Sequence, residues 1–73
     1  MTPQQALDII NREPTGGAHY YSTARDRFYN NYGDDWFSYY NDEWHHHDLI
    51  LRSTRESLMP MWKLLEIVEG GER

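Results

Sequence analysis

Three consecutive histidines, His45-His46-His47, are flanked by Glu43 and Asp48, and no other group in the chain looks as much like a metal site. The expectation that this stretch is helical argues against one. Successive helical residues point about 100° apart, so three adjacent imidazoles cannot converge on one ion. Helical zinc sites use i, i+3 or i, i+4 pairs. Glu43 and His47 meet that spacing, but two ligands make a weak site. No metal and no cofactor are therefore expected. The alternative is two solvated histidines beside one that packs, next to acids that favour the imidazolium form.

The paired carboxylates Asp34-Asp35 and Asp42-Glu43 are the candidates for acid–base chemistry. Such work needs burial or a close partner to tune a proton affinity, and so short a chain has little material for a pocket around either pair. Ser22, Ser38, Ser53 and Ser57 read as caps or surface residues, and no phosphate loop, dinucleotide fingerprint or nucleophile elbow is present. These residues do not suggest an enzyme. Arg25 with Arg27, or Arg52 with Arg55, could touch a phosphate backbone, but pairing with a neighbouring acid such as Asp26 or Glu56 is the simpler expectation. Autonomous nucleic-acid binding is not expected.

Charge and aromatic content are concentrated in one place. The formal charge of −5 is all accounted for by residues 28–51, which hold Asp34, Asp35, Asp42, Glu43 and Asp48 and no Lys or Arg. The same stretch contains Phe28, Tyr29, Tyr32, Trp36, Phe37, Tyr39, Tyr40 and Trp44, most of the aromatic side chains of the molecule. An acidic field repels nucleic-acid phosphates and attracts a basic protein surface. Aromatic side chains with few aliphatic ones resemble interface hot spots, although a small domain also uses aromatics as core. The expected contact surface is residues 34–48, with Asp34, Asp35, Tyr39, Asp42 and Glu43 as its chief members.

The elements that must position these residues are read from caps and periodicity. Thr2, Pro3 and Gln5 form a capping-box start, and Pro14 stops that first helix near Arg12. Thr15-Gly16-Gly17 is a turn. A second helix is expected from Thr23 to Tyr32, capped by Ser22 and closed by Gly33, with a short strand at His19-Tyr20-Tyr21 as the competing reading of its start. Over 34–51, helical spacing places Trp36, Phe37, Tyr40, Trp44, His47 and Leu51 on one arc. A period of two instead groups Trp36, Tyr40 and Trp44 with Ser38, Asp42 and His46, so the helix is preferred, against the poor helix propensity of these residues. Arg52 to Glu56 connects to a last helix capped by Ser57, with Pro60 in its first turn, closed by Gly70-Gly71 and frayed at Glu72-Arg73.

The expected fold is all-α, three or four short helices in a single domain spanning 1–73, with an α+β arrangement (strands near 18–22 and 44–52) as the alternative. Its core would draw on Leu7, Ile10, Phe28, Trp36, Tyr40, Trp44, Leu51, Leu58, Met61, Trp62, Leu65 and Val68. A domain this small buries only ~60 % of its unfolded surface, and with no Cys it has no disulfide to reinforce it. The apolar run Leu49-Ile50-Leu51 is far shorter than the ~20 residues of a membrane span, and the N-terminus has no basic-then-apolar signal pattern. No heptad repeat calls for a dimer, so a monomer is expected.

An acidic chain of this length that opens TPQQALDIINREPTGG, carries DDWFSYYNDEWHHH and ends MWKLLEIVEGGER resembles the small transcription regulators of lytic Xanthomonas phages. The resemblance runs over the whole chain and has no compact diagnostic motif. It implies a protein of the host cytoplasm that binds host RNA polymerase through the N-terminal segment of the β′ subunit. It also implies inhibition of initiation by displacement of the σ factor, and antitermination during elongation with the host factor NusA. It implies no catalysis and no cofactor. A different class of function, mimicry of a nucleic acid to inhibit a host or anti-phage DNA-binding protein, would need carboxylates over most of the surface. The flanks of the acidic stretch carry as many bases as acids, which speaks against it.

Overall fold

The computed structural model describes residues 1–70 and is α+β, which overturns the all-α expectation. In chain order it comprises α1 (Pro3–Asn11), β1 (Tyr20–Ser22), β2 (Arg27–Tyr32), β3 (Asp35–Tyr40), β4 (Glu43–His47), α2 (Arg52–Glu56), β5 (Leu58–Pro60) and α3 (Met61–Gly70). The strands form one antiparallel sheet in the order β4-β3-β2-β1-β5.

The first helix forms as its caps dictate. Thr2 accepts from the Gln5 amide at 3.1 Å while the Gln5 side chain accepts from the Thr2 amide at 2.8 Å. The expected second helix is instead a turn followed by β2, and the expected 34–51 helix is the β3–β4 hairpin. Two tight turns decide this. Gly33 has φ +65 at the first central position between Tyr32 and Asp35, the conformation of a II′ turn. Asn41 and Asp42 have φ 53 and 63 between Tyr40 and Glu43, the I′ pattern whose twist matches that of the strands it joins. Aromatic side chains, mediocre in helices, fit the pleated surface on either side. The last helix also starts later than its expected Ser57 cap, because residues 58–60 pair with β1 as an edge strand ending in Pro60. The expected fray at Glu72-Arg73 lies outside the described residues.

Strand alternation divides the side chains between two faces. One face carries the cross-strand row Met59, Tyr21, Phe28, Tyr39, Trp44, and α1 and α3 lie on that row. Ala6 and Ile9 of α1 and Leu64 of α3 pack there with Tyr21 and Phe28 to make the core. The helix faces are thus rotated from those expected. Leu7, Trp62 and Leu65 are exposed, as is Leu51 beyond β4, while Trp36 and Tyr40 lie half-buried on the opposite face of the sheet. Phe28 is a core residue as expected, and Ile10, Trp44, Met61 and Val68 pack against the core.

The opposite face is polar and is partly covered by residues 48–57. Ser22 hydrogen-bonds Ser57 at 2.8 Å, Ser38 hydrogen-bonds His47 at 2.7 Å, and Arg55 lies over the Trp36 ring. Every buried side-chain nitrogen and oxygen among the described residues has a partner. The radius of gyration is 12.4 Å and the long dimension 40 Å. A compact chain of this length has a radius of about 11 Å, so the molecule is elongated. The end of the sheet around Tyr32, Phe37 and His46 lies outside the core that the helices pack.

Candidate functional site

The sequence-predicted contact residues fall on the β3–β4 hairpin and the turn before it, but they do not form one patch. Asp34 is exposed in the β2–β3 turn, and Asp35 begins β3, where its carboxylate lies 3.1 Å from His46 Nε2. Asp42 is exposed in the β3–β4 turn, and Glu43 begins β4 with its carboxylate 3.6 Å from His45 Nε2. β3 separates the two acidic pairs. Its six residues at ~3.4 Å per step put the pairs about 17 Å apart. Tyr39 is not on a polar border: its ring lies edge-on to Trp44 at 5.1 Å and packs against the core.

The histidines are on a strand, so the helical geometry used to weigh them does not apply. His45 and His47 point to the polar face, where His45 stacks on Tyr40 with centroids 3.7 Å apart and His47 meets Ser38. His46 points to the other face, against Phe37 and Asp35. Among the described residues no group of three or more His, Cys, Asp or Glu side chains could hold a metal.

The feature that sequence reasoning missed is the edge. β4 ends the sheet, and no strand among the described residues pairs with its outer side. The two-residue turn makes Tyr40 and Glu43 a hydrogen-bonded pair, and pairs alternate along an antiparallel ladder. The peptide groups of Glu43, His45 and His47 therefore face β3, while those of Trp44 and His46 face outward with their donors and acceptors open. Beside this edge, Asn30, Tyr32, Phe37 and Trp44 line an open, largely aromatic cleft of about 270 Å³. The Asn41-Asp42 dipeptide was the available signal, since an I′ turn there implies a hairpin and hence an edge.

Asp26, expected to neutralise Arg25 or Arg27, has φ 54 and faces Arg12 and Tyr21 instead. The Tyr21 hydroxyl donates to the Asp26 carboxylate and holds it below the ordinary carboxylate range; partial burial opposes that shift and Arg12, at 3.2 Å, adds to it. Burial raises the Tyr21 phenol, and its bond to Asp26 raises it further. Among the described residues, the ion pairs of arginine and lysine are Arg12–Asp26, Arg52–Glu56 and Lys63–Glu66, and none involves Arg25 or Arg27.

Comparison of the chain with protein-family models, with curated proteins and with solved structures found no match. Among the described residues no helix is long and apolar enough to cross a membrane.

Proposed function

We propose that this protein regulates transcription by binding host RNA polymerase, and that the open edge of β4 takes an extended stretch of the β′ N-terminal segment as an added strand. The observation that supports it is the β4 edge itself. It offers unpaired backbone groups next to an aromatic cleft, with acids at both ends of the hairpin. Strand addition draws affinity from main-chain hydrogen bonds and selectivity from the pockets that alternate side chains enter. Aromatic walls add buried area at little entropic cost, and the two acidic ends hasten encounter with a basic segment.

On this reading the protein works by occupancy, as a monomer in the host cytoplasm, without catalysis or cofactor. Inhibition of initiation by σ displacement, and antitermination with NusA, follow from the resemblance to the phage regulators and need only bias between polymerase conformations. The test is titration of the intact protein with the isolated β′ N-terminal segment. Saturable binding is expected, with Asp42→Lys/Glu43→Lys weakening it about tenfold or more through like-charge repulsion. Absence of binding to both that segment and the whole polymerase sinks the proposal. Binding that survives charge reversal at both ends moves the contact off the hairpin.

A further inference from the structure

On the polar face of the sheet, an acidic protein keeps two uncompensated arginines side by side. Arg25 closes the β1–β2 turn and Arg27 opens β2, with Asp26 between them turned away to Arg12 and Tyr21. Arg25 Nε donates to Thr54 Oγ1 at 3.3 Å, and among the described residues its two terminal nitrogens make no hydrogen bond or ion pair. The Arg27 guanidinium lies over the Tyr40 ring at 4.4 Å, a stack that uses its face and leaves its N–H edges available. Together with Tyr29, His47 and Thr54 these side chains line a cavity of about 200 Å³. Leu49, Ile50 and Leu51 complete its wall, and among the described residues no Asp or Glu contributes to it.

Three acids elsewhere in the fold have partners of their own. Glu43, across from Tyr40, contacts His45 at 3.6 Å; Glu56 pairs with Arg52 at 2.9 Å; Asp48 approaches His46 at 3.9 Å. Tyr29, 5 % exposed, lines the cavity from its floor strand β2. Burial holds that phenol above its ordinary value against the pull of Arg27 and Arg25, so it stays a neutral donor. The cavity thus gathers two fixed positive charges and two hydroxyls in a chain with an overall charge of −5.

We propose that this cavity binds a phosphate group, as the free anion or as a small monoester whose organic part lies against Leu49–Leu51. A planar carboxylate is satisfied by one bidentate arginine, whereas a tetrahedral dianion can accept from two guanidinium groups and flanking hydroxyls at once. The volume is below the ~300–1,000 Å³ of sites for drug-sized ligands, which suits a phosphoryl group with a small substituent.

Amide NMR titration of the intact protein with inorganic phosphate and with phenyl phosphate, at fixed ionic strength and pH, tests this. Saturable one-site shifts are expected for residues 25–29 and 47–54, with Arg25→Gln and Arg27→Gln each weakening binding about tenfold. Lys63→Gln, on α3, should leave it unchanged. Because Arg27→Gln also removes the Tyr40 stack, Tyr29→Phe serves as a milder second variant, with an expected loss of about threefold. Tighter binding of phenyl phosphate identifies the monoester as ligand, and equal binding identifies the free anion. Linear shifts without saturation, or saturation unaltered by all three cavity variants, would overturn the assignment.

Discussion

The orientation of the β4 peptide groups can be tested with proline, because neighbouring positions have opposite expected effects. The His46 amide points away from the sheet, so His46→Pro removes no ladder bond. It does cost the contacts of the imidazole with Asp35 and Phe37, which His46→Ala removes equally and so subtracts. Relative to His46→Ala, stability should change by less than about 1 kcal/mol. Binding of the β′ segment should fall about two- to tenfold from the one lost intermolecular bond, worth ~0.5–1.5 kcal/mol, and further where the ring obstructs the incoming strand. His45→Pro acts on the other side. Its amide faces the carbonyl of Ser38, a fully buried residue. Losing that bond and leaving the acceptor unpaired should cost about 2–4 kcal/mol. Against the ~4–11 kcal/mol expected for a chain of this length, that is a large share. Chemical denaturation followed by tryptophan fluorescence gives the stabilities, and calorimetric titration gives the affinities. Equal binding by His46→Pro and His46→Ala would refute the edge as docking lane. A His46→Pro variant less stable than His45→Pro would refute the register.

Leu64→Ala, at a fully buried position between α1, α3 and the sheet, should destabilise by about 2–5 kcal/mol in the same denaturation assay; less than about 1 would place the core elsewhere. Asp42→Gly replaces a residue at φ 63 with the one the I′ turn prefers, so the midpoint of thermal unfolding should rise while binding of a basic partner weakens. Asp26 is held below its ordinary range by Tyr21 first and Arg12 second, so its contribution is present above the unfolded-state value near pH 4 and fades as pH falls through the lower folded-state value. Asp26→Asn should flatten the acid limb of the stability–pH curve. Tyr21 is shifted upward, so its contribution holds below about pH 10 and is lost at more alkaline pH; Tyr21→Phe should flatten that limb.

Local chemistry made the first helix legible, since Thr2, Pro3, Gln5 and Pro14 act within one turn of themselves. Gly16 and Gly17 likewise mark a turn wherever the chain goes next, and both have positive φ. A period of two carried through Asn41-Asp42 without a break hides the hairpin. Alternation does hold for Trp36, Ser38 and Tyr40, which share the polar face. After a two-residue turn the phase restarts, and Trp44 and His46 join Phe37 and Tyr39 instead. The i, i+4 spacing of Trp36, Tyr40 and Trp44 that looked helical joins residues from both faces. Ser38 argued against a strand as a polar residue among aromatics, yet it is buried because His47 meets its hydroxyl across the ladder, a pairing that only register reveals. The acidic stretch is one pole in sequence but not in space. An extended β3 moves its two ends apart, where a helix of the same length would span about 7.5 Å at 1.5 Å per residue.

The helices cover only one cross-strand row, so the far end of the sheet is held by ladder bonds and ring contacts without a packed layer above it. Amide exchange should follow that division: protons of β1, α1 and α3 are released only by global unfolding, and those near Gly33 and Asp48 by smaller excursions. Such local breathing lets the outer hairpin adjust its twist to an incoming chain while the helical end keeps the molecule folded.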